Sequence, residues 1–455
     1  MLESTPVRRR RRRATAVLLV CAASLLAAGF HPLDSPVLAR SGQSTTEAAL
    51  AITHGPYLQL PASTSMTIVW HTNRPCVSHV EYWAVNRAAA APTTPAPADG
   101  APLALPANAP ATAISAVHGL IDNDRTSHII RLDGLKPGTR YQYRVVSREF
   151  QGYEKQYIVK YGATVSSDVF SFATLDERTT GFSFAVMSDI HENAKRLDAM
   201  LAGLDWTGIP LVVFNGDMVN DFMSADQPFS GFLDVSVARF ARTIPFIYVR
   251  GNHDVRGRFA RRLADYLPTY QGAAHFAAGA PGEGRAYYSF DEGPVHFIVL
   301  DSGEDKVDAH EYYNGLVAFE PYRCEQARWL ANDLRGAAAR RARYRIVLSH
   351  IPPYDGTTRP GAPDEGFAIQ QVRECWEKAA NAGRVDLWLS GHTHRYAHVA
   401  PAAGRNRYHL VIGAPDTVTR VDVSTAQLRV TIARETGEHV ETVVIGCRST
   451  AATRY

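Results

Sequence analysis

Five short apolar runs each lead into residues that can hold a metal ion. Asp189 and His191 follow Phe182 to Met187, and Asp217 follows Leu211 to Asn215. Asn252, His253 and Asp254 follow Phe246 to Arg250. His350 follows Ile346 to Ser349, and His392 and His394 follow Leu387 to Ser390. Carboxylate, imidazole and amide oxygen suit Mn, Fe, Zn and similar ions. Two divalent ions held about 3.5–4 Å apart solve the two difficulties of phosphate-ester hydrolysis. They neutralise the phosphate oxygens and lower the pKa of a bridging water. Holding them that close needs an anionic bridge, which a single aspartate supplies. Glycines stand beside these residues at 216, 251 and 391, where they let the backbone turn sharply and approach substrate.

Each apolar run reads as a buried strand, as does Val295 to Leu300. Ligands in open α/β sheets gather at the carboxyl ends of strands, so the candidate residues fall on one rim. Helical stretches lie between several strands; Glu325 to Leu334 places Ala327, Leu330, Ala331 and Leu334 on one face. The runs Tyr408 to Ile412, Leu428 to Ala433 and Val440 to Ile445 read as antiparallel strands. Residues 181–447 therefore form an α/β domain with extra β structure at its end. Residues 49–177 read as all-β. Met66 to Trp70, Val77 to Trp83, His128 to Leu132, Tyr141 to Ser147 and Val169 to Thr174 are short strands between Gly/Pro turns, the pattern of a β-sandwich. Residues 88–113 are rich in Ala, Pro and Thr and read as a surface insertion.

The 455-residue chain opens with an arginine run, Arg8 to Arg13. An apolar stretch from about Ala14 to Ala28 and the small residue Ala39 follow, the layout of a secretory signal over residues 1–39. Its removal leaves a secreted or periplasmic protein with no membrane anchor. The formal charge is +3, and residues 1–39 carry six arginines against Glu3 and Asp34. The mature chain is thus close to neutral, which argues against nucleic acid as a partner. Four cysteines remain: Cys76, Cys324, Cys375 and Cys447. Free thiols and one bridge are both open; Cys324 with Cys375 is the expected pair, since both fall on predicted helices of one domain.

The order D-x-H, G-D, G-N-H-D, H, G-H-x-H is similar to that of the calcineurin-like metallophosphoesterase superfamily. The likeness covers the C-terminal 260 or so residues. It extends to Tyr287-Tyr288-Ser289-Phe290, to Val295 to Ser302, and to Gln326 to Leu330. The resemblance implies two β-sheets packed between helices, an α/β/β/α arrangement. It implies that a first metal takes Asp189, His191, Asp217 and His394, and a second takes Asp217, Asn252, His350 and His392. His253 would face the phosphate, protonating the leaving oxygen or stabilising its charge. Asp254 would orient His253. Upstream, Leu132 to Tyr143 resembles the turn before strand F of fibronectin type III domains, with Tyr141 as the corner tyrosine and Trp70 in the core. A sandwich of this kind before a phosphatase domain resembles the N-terminal domain of purple acid phosphatases.

Departures from the purple acid phosphatases bear on the metals. His191 stands where that family has glycine, and Asn220 stands where it has tyrosine. Without a phenolate there is no source for the purple colour, and the expected pair is two divalent ions, Fe, Mn or Zn, or a mixed pair with low iron(III) stability. The expected substrate is a small-molecule phosphomonoester. Two other readings stay open: a phosphodiesterase acting on cyclic nucleotides or other diesters, and a secreted binding or adhesion protein with an idle catalytic domain.

Overall fold

In a computed structural model of the chain, residues 48–85, 110–268, 285–357, 360–362 and 365–447 are described. The expected signal at 1–39 and most of the 88–113 insertion lie outside them. Those from Ala49 onward belong to one compact unit.

The first part is all strand: β1 (Ile52–Gln59), β2 (Met66–Ala84), β3 (Ala111–Ile114), β4 (Ala116–Val117), β5 (Leu120–Ile121), β6 (Arg125–Leu132), β7 (Arg140–Glu154), β8 (Ile158–Ser166) and β9 (Phe170–Ala173). Two runs expected as separate strands, Met66 to Trp70 and Val77 to Trp83, are one long strand. It pairs with β1 and β6 along its first half and with β7 and β3 along its second, with a register shift between His71 and Cys76. Strand β2 thus passes from one face of a sandwich to the other around a core of Leu58, Ile68, Trp70, Val80, Tyr143 and Phe172. The Trp70 indole donates to Ser147 Oγ at 2.9 Å. The Tyr141 hydroxyl accepts from the backbone N–H of Lys136 at 2.9 Å, which is the corner the sequence led us to expect.

The second part alternates strands and helices: β10 (Phe182–Met187), α1 (Ala194–Gly203), β11 (Leu211–Asn215), α2 (Asp234–Ser236) and β12 (Phe246–Val249). There follow β13 (Tyr288–Glu292), β14 (Val295–Val299), α3 (Phe319–Asp333), α4 (Ala337–Arg341), β15 (Tyr344–Leu348), α5 (Phe367–Ala382) and β16 (Leu387–Ser390). The chain ends with β17 (Ala397–Val399), β18 (His409–Ile412), β19 (Thr417–Val423), β20 (Gln427–Arg434) and β21 (His439–Gly446). One sheet runs β21-β20-β19-β10-β11-β12 and continues through β1 into the sandwich; the other runs β13-β14-β15-β16-β18-β17. Strand β18 departs from expectation: it pairs parallel with β16 and antiparallel only with β17. Strands β20 and β21 are antiparallel as expected.

Side-chain alternation builds the layers. Phe184, Val186, Val213 and Val249 of the first sheet meet Phe297, Val299, Leu348 and Leu389 of the second. The opposite face of the first sheet, with Ala185, Met187, Val212 and Phe214, is covered by Leu197, Met200 and Leu201 of α1 and by Phe232, Leu233 and Phe240. The opposite face of the second, with Ile298, Val347 and Trp388, is covered by Leu330 of α3 and Val372 and Trp376 of α5. This is the α/β/β/α order. The expected stripe on α3 faces the core, with Leu330 and Leu334 buried and Ala327 half-buried beside them, and the helix also buries Arg323 and Gln326. Gln326 turns inward because its amide bonds both the N–H and the carbonyl of Asp301.

The sandwich packs against the helical segments after β11 and after β12. Tyr57 donates to the Tyr266 carbonyl at 2.7 Å and Tyr143 to the Arg242 carbonyl at 2.8 Å, and His54 stacks on Phe229 with ring centres 3.6 Å apart. Among the described residues no helix is long and apolar enough to cross a membrane.

Candidate metal centre

The two sheets bring their carboxyl ends together. Strands β10, β11 and β12 deliver Asp189 and His191, Asp217, and Asn252; strands β15 and β16 deliver His350, and His392 and His394. Asp189, Asp217, Asn252 and His350 are almost wholly buried. Three sets of donor atoms gather within 4.8 Å: Asp189, His191 and His394; Asp217, His350 and His392; and His191, Asp217 and His253. Asp217 is common to the last two, facing His350 Nε2 at 3.0 Å and His191 Nε2 at 3.9 Å. His394 Nε2 lies 3.4 Å from Asp189 and 3.0 Å from His191 Nε2.

Sharp backbone turns aim these side chains. Asp189, His191, Asp217, His392 and His394 all have positive φ, between 48° and 73°. Such conformations cost about 1–3 kcal/mol each and persist where the surrounding structure forces them. A Cβ on Gly251 would stand 2.5 Å from the Asp217 nitrogen and closer still to its carboxylate, so only glycine lets β12 pass the bridging position. Further bonds fix the ligands. His392 N–H donates to both oxygens of Asp189 at 3.0 Å, and His253 N–H donates to Asp217 at 2.8 Å. His350 Nδ1 donates to the Asn215 carbonyl at 2.8 Å, which turns Nε2 toward Asp217.

The donor set fits a cation. The Asn252 amide is placed with its oxygen toward His392 Nδ1 at 2.9 Å, and that atom also lies 3.2 Å from His350 Nε2 and 3.3 Å from Asp217. Amide oxygen, carboxylate oxygen and imidazole nitrogen converge there, the donor types that a divalent cation takes. Electrostatics agree. Burial pulls His350 down, but the charges of Asp217 and Asp189 override it and push it up to about 10. Burial would raise Asp217, yet the His350 charge holds it below the ordinary carboxylate range. Burial, then His350, lowers His392 to about 4. The pocket draws a positive charge to one side of the shared carboxylate.

His253 sits on the open side, its ring 4.8 Å from His191. The expected partnership with Asp254 is corrected. The Asp254 carboxylate accepts the N–H groups of Gly251 at 2.7 Å and Asp217 at 3.0 Å. It is fully buried under the turn and braces the backbone that carries the bridge. Burial, then the Asp217 charge, push it up to about 6. His253 Nδ1 instead donates to the Asn220 carbonyl, and the Asn220 side chain turns to the His191 carbonyl.

Sequence reasoning passed over Arg256. It follows a 3₁₀ turn, His253–Val255, whose three-residue spacing carries it back over His253. That spacing was the available signal. Arg250 and Tyr354, which adjoin the motifs, are engaged with Asp301 and Glu377. His296 lies in the core between Asp291 and Asp333, away from the ligands. Cys324 and Cys375 face each other across α3 and α5 with sulfurs 3.5 Å apart, unbridged.

Residues 182–396 match the calcineurin-like phosphoesterase family, and residues 54–174 match the purple acid phosphatase N-terminal domain. The chain is 23% identical over 299 residues to purple acid phosphatase 21 of Arabidopsis thaliana, covering 61% of this chain and 54% of that protein. It is 31% identical over 161 residues to serine/threonine-protein phosphatase CPPED1 of Bos taurus, covering 34% and 42%. It thus spans about half the length of the curated relatives it matches. Among solved structures, purple acid phosphatase PPD1 from yellow lupin (Lupinus luteus) seeds shares the fold, with a TM-score of 0.58 at 13% identity over 86% of this chain and 74% of that one. The chain therefore joins a purple acid phosphatase N-terminal domain to a calcineurin-like phosphoesterase domain.

Proposed function

We propose that this protein hydrolyses small-molecule phosphomonoesters with two divalent ions, Fe, Mn or Zn. Asp189, His191, Asp217 and His394 would hold one, and Asp217, Asn252, His350 and His392 the other. The observation that carries this reading is the shared position of Asp217 between two sets of imidazole donors. When bound, the ions neutralise the phosphate and make water nucleophilic at neutral pH. Hydrolysis joins the water oxygen to phosphorus and breaks the ester P–O bond, and one water proton ends on the leaving alcohol. His253, 28% exposed and beside the ligands, is the group placed to meet that leaving oxygen. Asp254 positions the bridge through the backbone. The exported location rests on residues 8–39 and belongs to the same proposal.

The test is a substrate pair assayed on metal-replete protein. p-Nitrophenyl phosphate should be turned over at least about tenfold more efficiently than bis-p-nitrophenyl phosphate. The reverse order would make the enzyme a diesterase; no turnover of either would leave the binding-protein reading.

A further inference from the structure

Arg256 is held in a way that leaves one of its N–H groups free beside the metal ligands. A guanidinium has five N–H donors in a rigid plane. Arg256 Nε donates to Glu304 Oε2 at 2.9 Å, and Nη2 donates to Glu304 Oε1 at 2.6 Å and Asp305 Oδ1 at 2.9 Å. Nη1 donates to His253 Nε2 at 3.1 Å. The tautomer follows from the other ring nitrogen: His253 Nδ1 faces the Asn220 carbonyl and must carry hydrogen there, so neutral His253 offers Nε2 as a lone pair. That accounts for four of the five donors. The second N–H of Nη1 has no partner among the described residues. The same guanidinium reaches the other flank of the site, with Nη2 3.1 Å from the outer end of the Asn252 amide.

The anchoring is one-sided. Glu304 is fully buried and grips the far edge of the guanidinium, which fixes the plane and turns Nη1 toward His253. A pairing meant only to stabilise the loop needs the two bonds to Glu304 and nothing more. Here a pre-oriented donor stands between His253 and the Asn252 amide, at the rim of the proposed metal centre. Arginine in this arrangement recognises tetrahedral oxyanions, whose oxygens accept N–H bonds from a fixed plane.

We propose that Arg256 is a substrate-binding residue whose free Nη1–H grips a phosphoryl oxygen of the ester, alongside His253. This rests on the phosphoesterase reading above and adds to it a binding residue outside the metal-ligand motifs. The bond would be present in the ester, strengthen as charge gathers on the oxygens, and persist with the phosphate product.

The test uses the full, metal-replete protein and inorganic phosphate as the probe. Metal content, melting temperature, kcat and KM on p-nitrophenyl phosphate, and the competitive inhibition constant of phosphate are measured for wild type, Arg256→Gln, Arg256→Lys and the double variant Arg256→Gln/Glu304→Gln. The double variant removes the buried carboxylate that the single change strands. Loss of one charge-assisted hydrogen bond weakens binding about ten- to a hundredfold. Arg256→Gln and the double variant should both show phosphate inhibition weakened by at least about tenfold with two metals retained, and Arg256→Lys should fall between them and wild type. Wild-type phosphate inhibition in either metal-replete glutamine variant overturns the proposal and leaves Arg256 as the tie of Glu304. An inactive wild type would instead sink the phosphoesterase reading itself.

Discussion

At the scale of single residues, the centre depends on donor chemistry and on one shared carboxylate. Asp217 takes the His253 N–H on one oxygen and faces His350 with the other. An asparagine there keeps the shape and loses the charge. Asp217→Asn should lower turnover of p-nitrophenyl phosphate by about 10²–10³-fold, the scale seen when one group stabilising transition-state charge is removed, and should lose metal. Near-normal kcat with full metal content would contradict the bridging role. The residues that converge at this centre were legible as candidates in the sequence because each pairs a chemically distinctive side chain with the end of an apolar run. Two partnerships were not. Asp254 is adjacent to His253 in sequence, but the turn directs its side chain inward to the N–H groups of Gly251 and Asp217. Arg256 meets His253 only through the pitch of a 3₁₀ turn. Adjacency along the chain did not predict adjacency of side chains.

At the scale of elements, the strand ends matter more than the strands. Five of the proposed ligands occupy positive-φ positions, and Gly251 lets the β12 turn press against Asp217. Gly251→Ala should therefore displace the bridge as well as cost about 1–3 kcal/mol in overpacking. The expected outcome is a lower melting temperature together with reduced metal retention on dialysis; loss of stability with both metals kept would mean that the turn yields elsewhere. Strands with continuous apolar sequence, such as β11 and β16, were readable from the run alone. Strand β19 was not, because it alternates buried Thr417, Thr419, Val421 and Val423 with half-buried Val418, Arg420 and Asp422, and no apolar run marks it. Strand β1 was hidden by Gly55-Pro56 inside it. The Cys324–Cys375 pairing expected from two helices is met as proximity, since α3 and α5 pack side by side on the second sheet.

At the scale of the whole molecule, layering came from resemblance and not from periodicity. A strand buried on both faces does not say which face meets the partner sheet and which meets a helix. The contact between the sandwich and the helical segments after β11 and β12 was also unreadable, because it is made by scattered residues: Tyr57, His71, Phe229 and Tyr266. This contact sets an acid limit. Burial, then the charges of His54 and His128, lower His71 to about 3, and burial lowers His128 to about 4. Both are neutral when folded, whereas the unfolded chain takes up protons below about 6.5. Stability should thus fall as pH drops from about 6.5 toward 4, by about 1.4 kcal/mol per pH unit for each group. Denaturant unfolding of His71→Gln should show a shallower acid slope than wild type; parallel slopes would contradict this. His296 sets the opposite limit. Burial opposes its charge, but Asp291 and Asp333 raise it to about 9. Its contribution is fully present below about 6.5 and is lost as pH rises through 9. His296→Gln should remove that alkaline decline, and an unchanged decline would place its cause elsewhere.

The central claim is that distant turns of the chain hold a pair of cations about Asp217. The most direct measurement is the metal-to-protein ratio of the purified protein, reconstituted with Mn, Fe or Zn and freed of excess ion, read by elemental mass spectrometry. The account predicts two ions per chain. A ratio that stays at zero or one with every metal offered would contradict it.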